Sequence, residues 1–158
     1  MLLRTADTRF TIVIQRPQVR ELLARCVSAG RNETGGILAG SYSEDRECAT
    51  VTAVGAAPDD SEWGGTWFRR GVRGVAQWLS ALWSGATRTY YVGEWHFHPF
   101  AGATASAEDM RQLRDIARDR RYRCPEPILL IIGGDPKADW HVAAYVATPS
   151  EVIPLHER

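Results

Sequence analysis

Apolar residues recur along the chain in short runs separated by polar, glycine- or proline-bearing breaks, and the spacing within each run predicts its structure. Phe10 to Ile14 is rich in β-branched residues and predicts a first strand. Pro17 suits the first turn of a helix, and Val19, Leu22, Leu23, Cys26 and Val27 follow at helical spacing up to a stop at Gly30. Glu33 to Gly40 reads as a strand entered by a glycine pair. Ser43 to Glu47 reads as a turn and Cys48 to Val54 as the hairpin partner. A polar loop with Pro, Asp and Gly runs from Ala56 to Gly65, with Trp63, Trp67 and Phe68 in or beside it. Val72, Val75, Ala76, Leu79, Leu82 and Trp83 form the apolar stripe expected of a helix over 72–83.

Tyr90 to His98 predicts a strand, Pro99 to Ala105 a loop, and a third helix starts near Ser106 with Met110, Leu113, Ile116 and Ala117 on one face. The unbroken apolar run Ile128 to Ile132 predicts a strand buried on both faces, and Trp140 to Ala147 its partner. Strands and helices mix without strict alternation. The expected class is α+β (α/β mixed), a mixed β-sheet flanked by helices. His141 is expected on a strand surface and His156 in a mobile tail.

Composition narrows the function classes. The 158 residues suit one domain spanning 1–158. Charges balance to a formal net of zero, which speaks against general binding to nucleic acid or a membrane surface. The arginines at 118, 120, 121 and 123 read as a solvated helix end. The longest apolar run is too short to span a bilayer, and no early segment has the pattern of a signal peptide. Three separated cysteines, Cys26, Cys48 and Cys124, favour free thiols and a cytoplasmic location.

Candidate chemistry begins with Trp95-His96-Phe97-His98-Pro99. Residues i and i+2 of a strand share a face, roughly 6 to 7 Å apart, so both imidazoles can reach one ion. Ser106-Ala-Glu-Asp109 fits a capping pattern, which puts the Asp109 carboxylate in the first helical turn, where the helix dipole favours an anion. Two imidazoles and a carboxylate leave a tetrahedral ion one open position, where a bound water is acidified to a pKa of about 7. Iron or manganese suits such a donor set as well as zinc. Zinc is preferred because the rest of the pattern reads as hydrolytic. Amide hydrolysis also needs a group to carry protons, and Glu33 is the candidate. Glu94 and Glu108 are its rivals. Glu94 shares the histidine face as a ligand, a partner behind the ligands or an exposed group; Glu108 reads as a helix-start charge.

His96-x-His98-Pro99, six residues, Ser106-x-x-Asp109 and an upstream Glu at a strand start resemble the JAMM motif of the JAB/MPN metalloprotease family. The element order over about Phe10 to Ala147 is similar too. The resemblance implies a cytidine-deaminase-like JAB/MPN fold. It implies Zn2+ on His96, His98 and Asp109, Glu33 as general base and acid, and Ser106 supporting the water or the oxyanion. It further implies cleavage of peptide or isopeptide bonds after the C-terminus of a ubiquitin-like protein. The short chain, with little room for insertions, looks most like small bacterial members encoded beside E1- and E2-like proteins in antiviral (CBASS) or ubiquitination-like operons. There the conjugated protein is a ubiquitin-like modifier or a cyclic-nucleotide synthase (CD-NTase). Trp63, Trp67 and Phe100 are candidates to flank an extended substrate tail added as a strand. The alternatives are a peptidase trimming a ubiquitin-like or sulfur-carrier precursor, and a non-catalytic MPN interaction module.

Overall fold

A computed structural model describes residues 1–157. Its elements run β1 (Leu2–Arg4), β2 (Thr11–Ile14), α1 (Arg16–Ala29), β3 (Thr34–Tyr42), β4 (Cys48–Val54), β5 (Glu62–Trp63), β6 (Phe68–Arg69), α2 (Val75–Trp83), β7 (Tyr90–Pro99), α3 (Ala107–Arg118), a 3-10 turn (Arg120–Tyr122), β8 (Ile128–Gly134), β9 (Trp140–Ala147) and β10 (Val152–Glu157). Eight strands form one mixed sheet in the order β1-β10-β9-β8-β7-β3-β4-β2, and β2 pairs back to β1, so the sheet closes on itself. β2 with β4 and β7 with β8 are parallel; the other ladders of this sheet are antiparallel.

The alternation in β8 explains the layers. Ile128, Leu130 and Ile132 point into the closed side, where they meet Leu22 and Cys26 of α1 together with Trp95 and Phe97 of β7. Leu129 and Ile131 point outward and are covered by Leu113 and Ala117 of α3. Both faces are thus dry, as an unbroken apolar strand requires. Trp95 and Phe97 are fully buried, and each such side chain contributes roughly 1.5–3 kcal/mol of transfer free energy.

Where β7 pairs with β3, Leu38 faces Gly93 and Ala39 faces Tyr91, so Val92 is an extra residue in the ladder. This bulge resets the alternation. Tyr91 packs outward with Ile37 and Ile116, Val92 turns inward, and beyond the bulge Trp95 and Phe97 face the core. Glu94, His96 and His98 are left together on the opposite face.

Three expectations change. The 152–157 segment is a strand, not a mobile tail: His156 sits opposite Arg4 of β1. Pro154 interrupts the sequence pattern, yet β1 reaches only His156 and Glu157, so Pro154 has a strand neighbour on one side alone and its missing N–H is tolerated. The second helix starts at Val75 rather than Val72, because the Asp60 carboxylate accepts the Val72 and Arg73 amides and Gly74 enters the helix with φ +77°. Its stripe is half right: Val75, Leu79 and the unforeseen Trp78 pack on the body, while Val72, Ala76 and Trp83 are exposed. The loop over 56–65 carries one strand of a small hairpin, β5–β6, with Trp63 opposite Phe68.

Candidate metal centre

β3 and β7 run antiparallel, so the start of one lies beside the end of the other. Thr34 faces Phe97 and Gly35 faces His96, which sets Glu33, one step further, opposite His98. α3 begins nearby, after the loop that follows Pro99. Its first turn is a full capping box: the Ser106 Oγ accepts from the Asp109 amide at 3.1 Å, and the Asp109 Oδ2 accepts from the Ser106 amide at 2.8 Å. The Ser106 hydroxyl donates to the same Oδ2 at 2.7 Å. Capping thus fixes the carboxylate and leaves Oδ1 free for another partner.

That partner is His96 Nδ1, at 2.7 Å. His96, His98 and Asp109 each offer a ligand atom, and these atoms lie within 4.8 Å of one another. His98 Nδ1 stands 3.4 Å from the Gly102 carbonyl; a proton directed there leaves Nε2 with the lone pair. Burial pushes the Asp109 carboxyl up, but its bonds to His96 and Ser106 outweigh this and hold it at about 2, below the ordinary 3.8. Asp109 is therefore an anion at neutral pH. The His96–Asp109 bond is what a proton makes of two lone pairs aimed at one point, and a cation can use the same pairs. The donor set fits a borderline ion such as zinc: two neutral nitrogens and one anionic oxygen.

Glu33 is partly buried at the rim. Burial raises its carboxyl above the usual value; His98 pulls it down, Asp109 pushes it up and His96 pulls it down, and the net shift is upward. All three metal-site residues thus bear on its charge. Its amide donates to the Gly64 carbonyl of the β5–β6 turn at 2.9 Å. A cleft of about 660 Å³ opens beside it, walled by Ala24, Arg25 and Ala29 of α1 on one side and by Ala57, Asp59 and Trp63 on the other.

The rivals to Glu33 are otherwise engaged. Glu94 is buried, with one oxygen on Arg70 at 2.9 Å and the other on Gln112 at 3.0 Å. Glu108 is exposed and pairs with Arg111. Trp63, Trp67 and Phe100 are each about half exposed, and only Trp63 lines the cleft. Trp67 lies on Gly64 within the hairpin turn. Phe100, at φ +56°, stacks under the Arg31 guanidinium 5.1 Å away, across the mouth between β3 and β7.

Two features escaped the sequence reading. Phe68 sets its ring edge against His96 at 5.8 Å between centroids, and Arg70 reaches Glu94. Each lies 24 or more positions from its partner, and nothing local marks it. Gly35 did carry a signal, as half of a glycine pair. A Cβ there would stand 2.4 Å from the Trp95 carbonyl and 2.9 Å from both His96 Cδ2 and Phe68 Cε1.

Residues 15–146 match the family described as prokaryotic homologs of the JAB domain. The chain belongs to this family. It is a small bacterial JAMM-type metalloprotease by that membership. Its similar relatives include a CD-NTase/cGAS isopeptidase of Enterobacter hormaechei subsp. hoffmannii, 45% identical over 138 residues, 87% of this chain and 76% of the relative. A probable metalloprotease of Sinorhizobium fredii, y4qB, is 35% identical over 69 residues, 43% of this chain and 42% of that protein. Among solved structures, the solution structure of a Desulfitobacterium hafniense protein superposes with a TM-score of 0.69 at 22% identity, covering 90% of this chain and 88% of that one, a likeness of fold. No helix among the described residues is long and apolar enough to cross a membrane.

Proposed function

We propose that the chain acts as one zinc isopeptidase unit that releases a protein joined through its C-terminus to an amine of a target. The observation that carries this reading is the convergence of His96, His98 and Asp109, with Glu33 one step beyond the Thr34–Phe97 pair at the start of β3. His96, His98 and Asp109 hold the ion. A zinc ion so held supplies a Lewis acid for an amide carbonyl and acidifies water at its open position.

The other work falls to the chain's own groups. Glu33 takes a proton from the attacking water as its oxygen bonds to the carbonyl carbon, and passes that proton to the amine nitrogen as the C–N bond breaks. In the metal-free chain burial raises its carboxyl above the usual value, the direction that evens its giving and taking of protons. Ser106 orients Asp109 through Oδ2; it can serve an oxyanion only by turning its hydroxyl away from that oxygen. Trp63 lines the approach along the cleft, and Phe68 packs edge-on against the His96 ring. Trp67 and Phe100 are further candidates for contact with an extended tail.

For the released protein we favour a CD-NTase-type or ubiquitin-like protein, in a cytoplasmic antiviral setting beside E1- and E2-like partners; the name of the Enterobacter relative supports the first. The test is to incubate the protein with a CD-NTase joined through its C-terminus to a carrier lysine, and with ubiquitin-like fusions, with and without chelator. Mass spectrometry locates the cut. Chelator-sensitive cleavage after the C-terminal residue, abolished in Glu33→Ala with zinc retained, is expected. Loss of zinc from Glu33→Ala would mean that a ligand has been taken for a base. Cleavage of linear fusions alone would favour precursor trimming.

A further inference from the structure

The segment from Asp60 to Arg73 leaves the body after β4 and returns at α2 with only two residues in each of its strands. Its base is closed by polar bonds: Asp60 accepts the Val72 and Arg73 amides, and Ser61 Oγ accepts the Gly71 amide at 2.9 Å. Its tip touches the site twice, through the Gly64 carbonyl on the Glu33 amide and the Phe68 ring on His96. Trp63 and Trp67 remain half exposed, so they bury too little to fix a hairpin this short.

Arg70 supplies the fixing. Its side chain is 10% exposed and its Nη2 meets Glu94 Oε1 at 2.9 Å; Glu94 is 3% exposed. The second Glu94 oxygen accepts from Gln112, one turn beyond Asp109 on α3. One carboxylate therefore joins the hairpin to β7, which carries both histidines, and to α3, which carries the aspartate. A buried ion pair gives little stability over an apolar pair of equal volume. Here it also leaves Arg70 Nε and the Tyr91 hydroxyl buried without partners. What the pair gives in return is a defined geometry.

We infer that Arg70, Glu94 and Gln112 form a positioning latch that sets the β5–β6 hairpin over the metal centre and so determines substrate engagement. The latch rests on the hydrolase reading only for its effect on substrate; its effect on the hairpin stands apart from it. The test compares the wild-type chain with the Arg70→Met/Glu94→Leu double variant, whose apolar pair keeps the site filled, and with Arg70→Lys.

Three readouts are taken. In the double variant, hydrogen exchange at the Glu33 amide, measured on metal-free protein, should quicken about ten-fold or more, while the Leu38 and Val92 amides are unmoved. Zinc stoichiometry should stay at the wild-type value. With the CD-NTase–carrier conjugate as probe, KM should rise about ten-fold or more while kcat changes less than about three-fold. Arg70→Lys, which keeps the charge but not the fork, should fall between the two proteins. An unchanged Glu33 amide, or acceleration shared by all core amides, would overturn the latch. Loss of zinc would overturn it too, because the pair would then be supporting the metal ligands rather than the hairpin. If wild type fails to cut the probe, the hydrolase reading has failed and the exchange data alone decide on Arg70.

Discussion

Gly35 is where the smallest chemical change should do the most to the site. Replacing it with alanine adds one methyl group in the β3–β7 ladder, directly opposite His96. That carbon would stand 2.4 Å from the Trp95 carbonyl oxygen, which is backbone in a paired strand and has little freedom to retreat. It would also stand 2.9 Å from His96 Cδ2 and Phe68 Cε1. A contact between carbon and a neighbouring heavy atom is comfortable near 3.5 Å or more, so roughly 1 Å of separation must be found on the backbone side. Overpacking of this kind costs about 1–3 kcal/mol. For a chain of this size that lowers Tm by about 2–4 °C per kcal/mol. The displacement falls on a metal ligand, so zinc affinity should fall with stability, by about ten-fold or more. Thermal unfolding with and without chelator, together with a zinc competition titration, reads both effects. Gly65→Ala is the control, because nothing lies within 4 Å of a Cβ there. A Gly35→Ala protein with wild-type zinc affinity would refute the argument that the glycine is required by the approach of β3 to His96.

Two other outcomes follow from burial and charge. Burial pushes the Cys26 thiol up to about 12 and the Cys124 thiol up to about 11, so neither forms thiolate at pH 8, whereas Cys48 is only partly buried. Iodoacetamide should modify Cys48 alone in native protein and all three after denaturation; rapid native modification of Cys26 would contradict its placement. In metal-free protein, the depressed Asp109 carboxyl contributes stability above its ordinary 3.8 that is lost as pH falls through about 2. Urea unfolding in chelator between pH 5 and pH 2 should therefore show a steeper acid loss for wild type than for Asp109→Asn; parallel slopes would contradict the His96–Asp109 and Ser106–Asp109 bonds.

What the sequence made legible was local. Two histidines at i and i+2, a Ser-x-x-Asp helix start and an acidic residue before paired glycines each state their geometry within a few residues. The structure brings His96, His98 and Asp109 together and sets Glu33 at the adjoining start of β3. The buried strand 128–132 and its partner were equally plain, because an unbroken apolar run has few other uses. Long-range pairings were not legible. The closing strand Val152–Glu157 is masked by Pro154, and its partner Leu2–Arg4 is too short to show a period. The fate of Glu94 depended on Arg70 and Gln112, which approach from a hairpin and a helix that no local pattern ties to β7. The stripe of the second helix misled because apolar spacing tells which residues share a face, not whether a sheet lies beneath all of it; Val72 and Trp83 lie at the ends of that stripe and find solvent.

The most direct test of the central claim is zinc stoichiometry, measured by elemental analysis after saturation and desalting, in wild type, Glu33→Gln and Asp109→Ala. Wild type and Glu33→Gln should each retain about one zinc per chain, and Asp109→Ala should retain almost none, as expected for a three-ligand site that loses one ligand. Equal zinc in all three proteins, or none in wild type, would mean that His96, His98 and Asp109 do not together hold the ion.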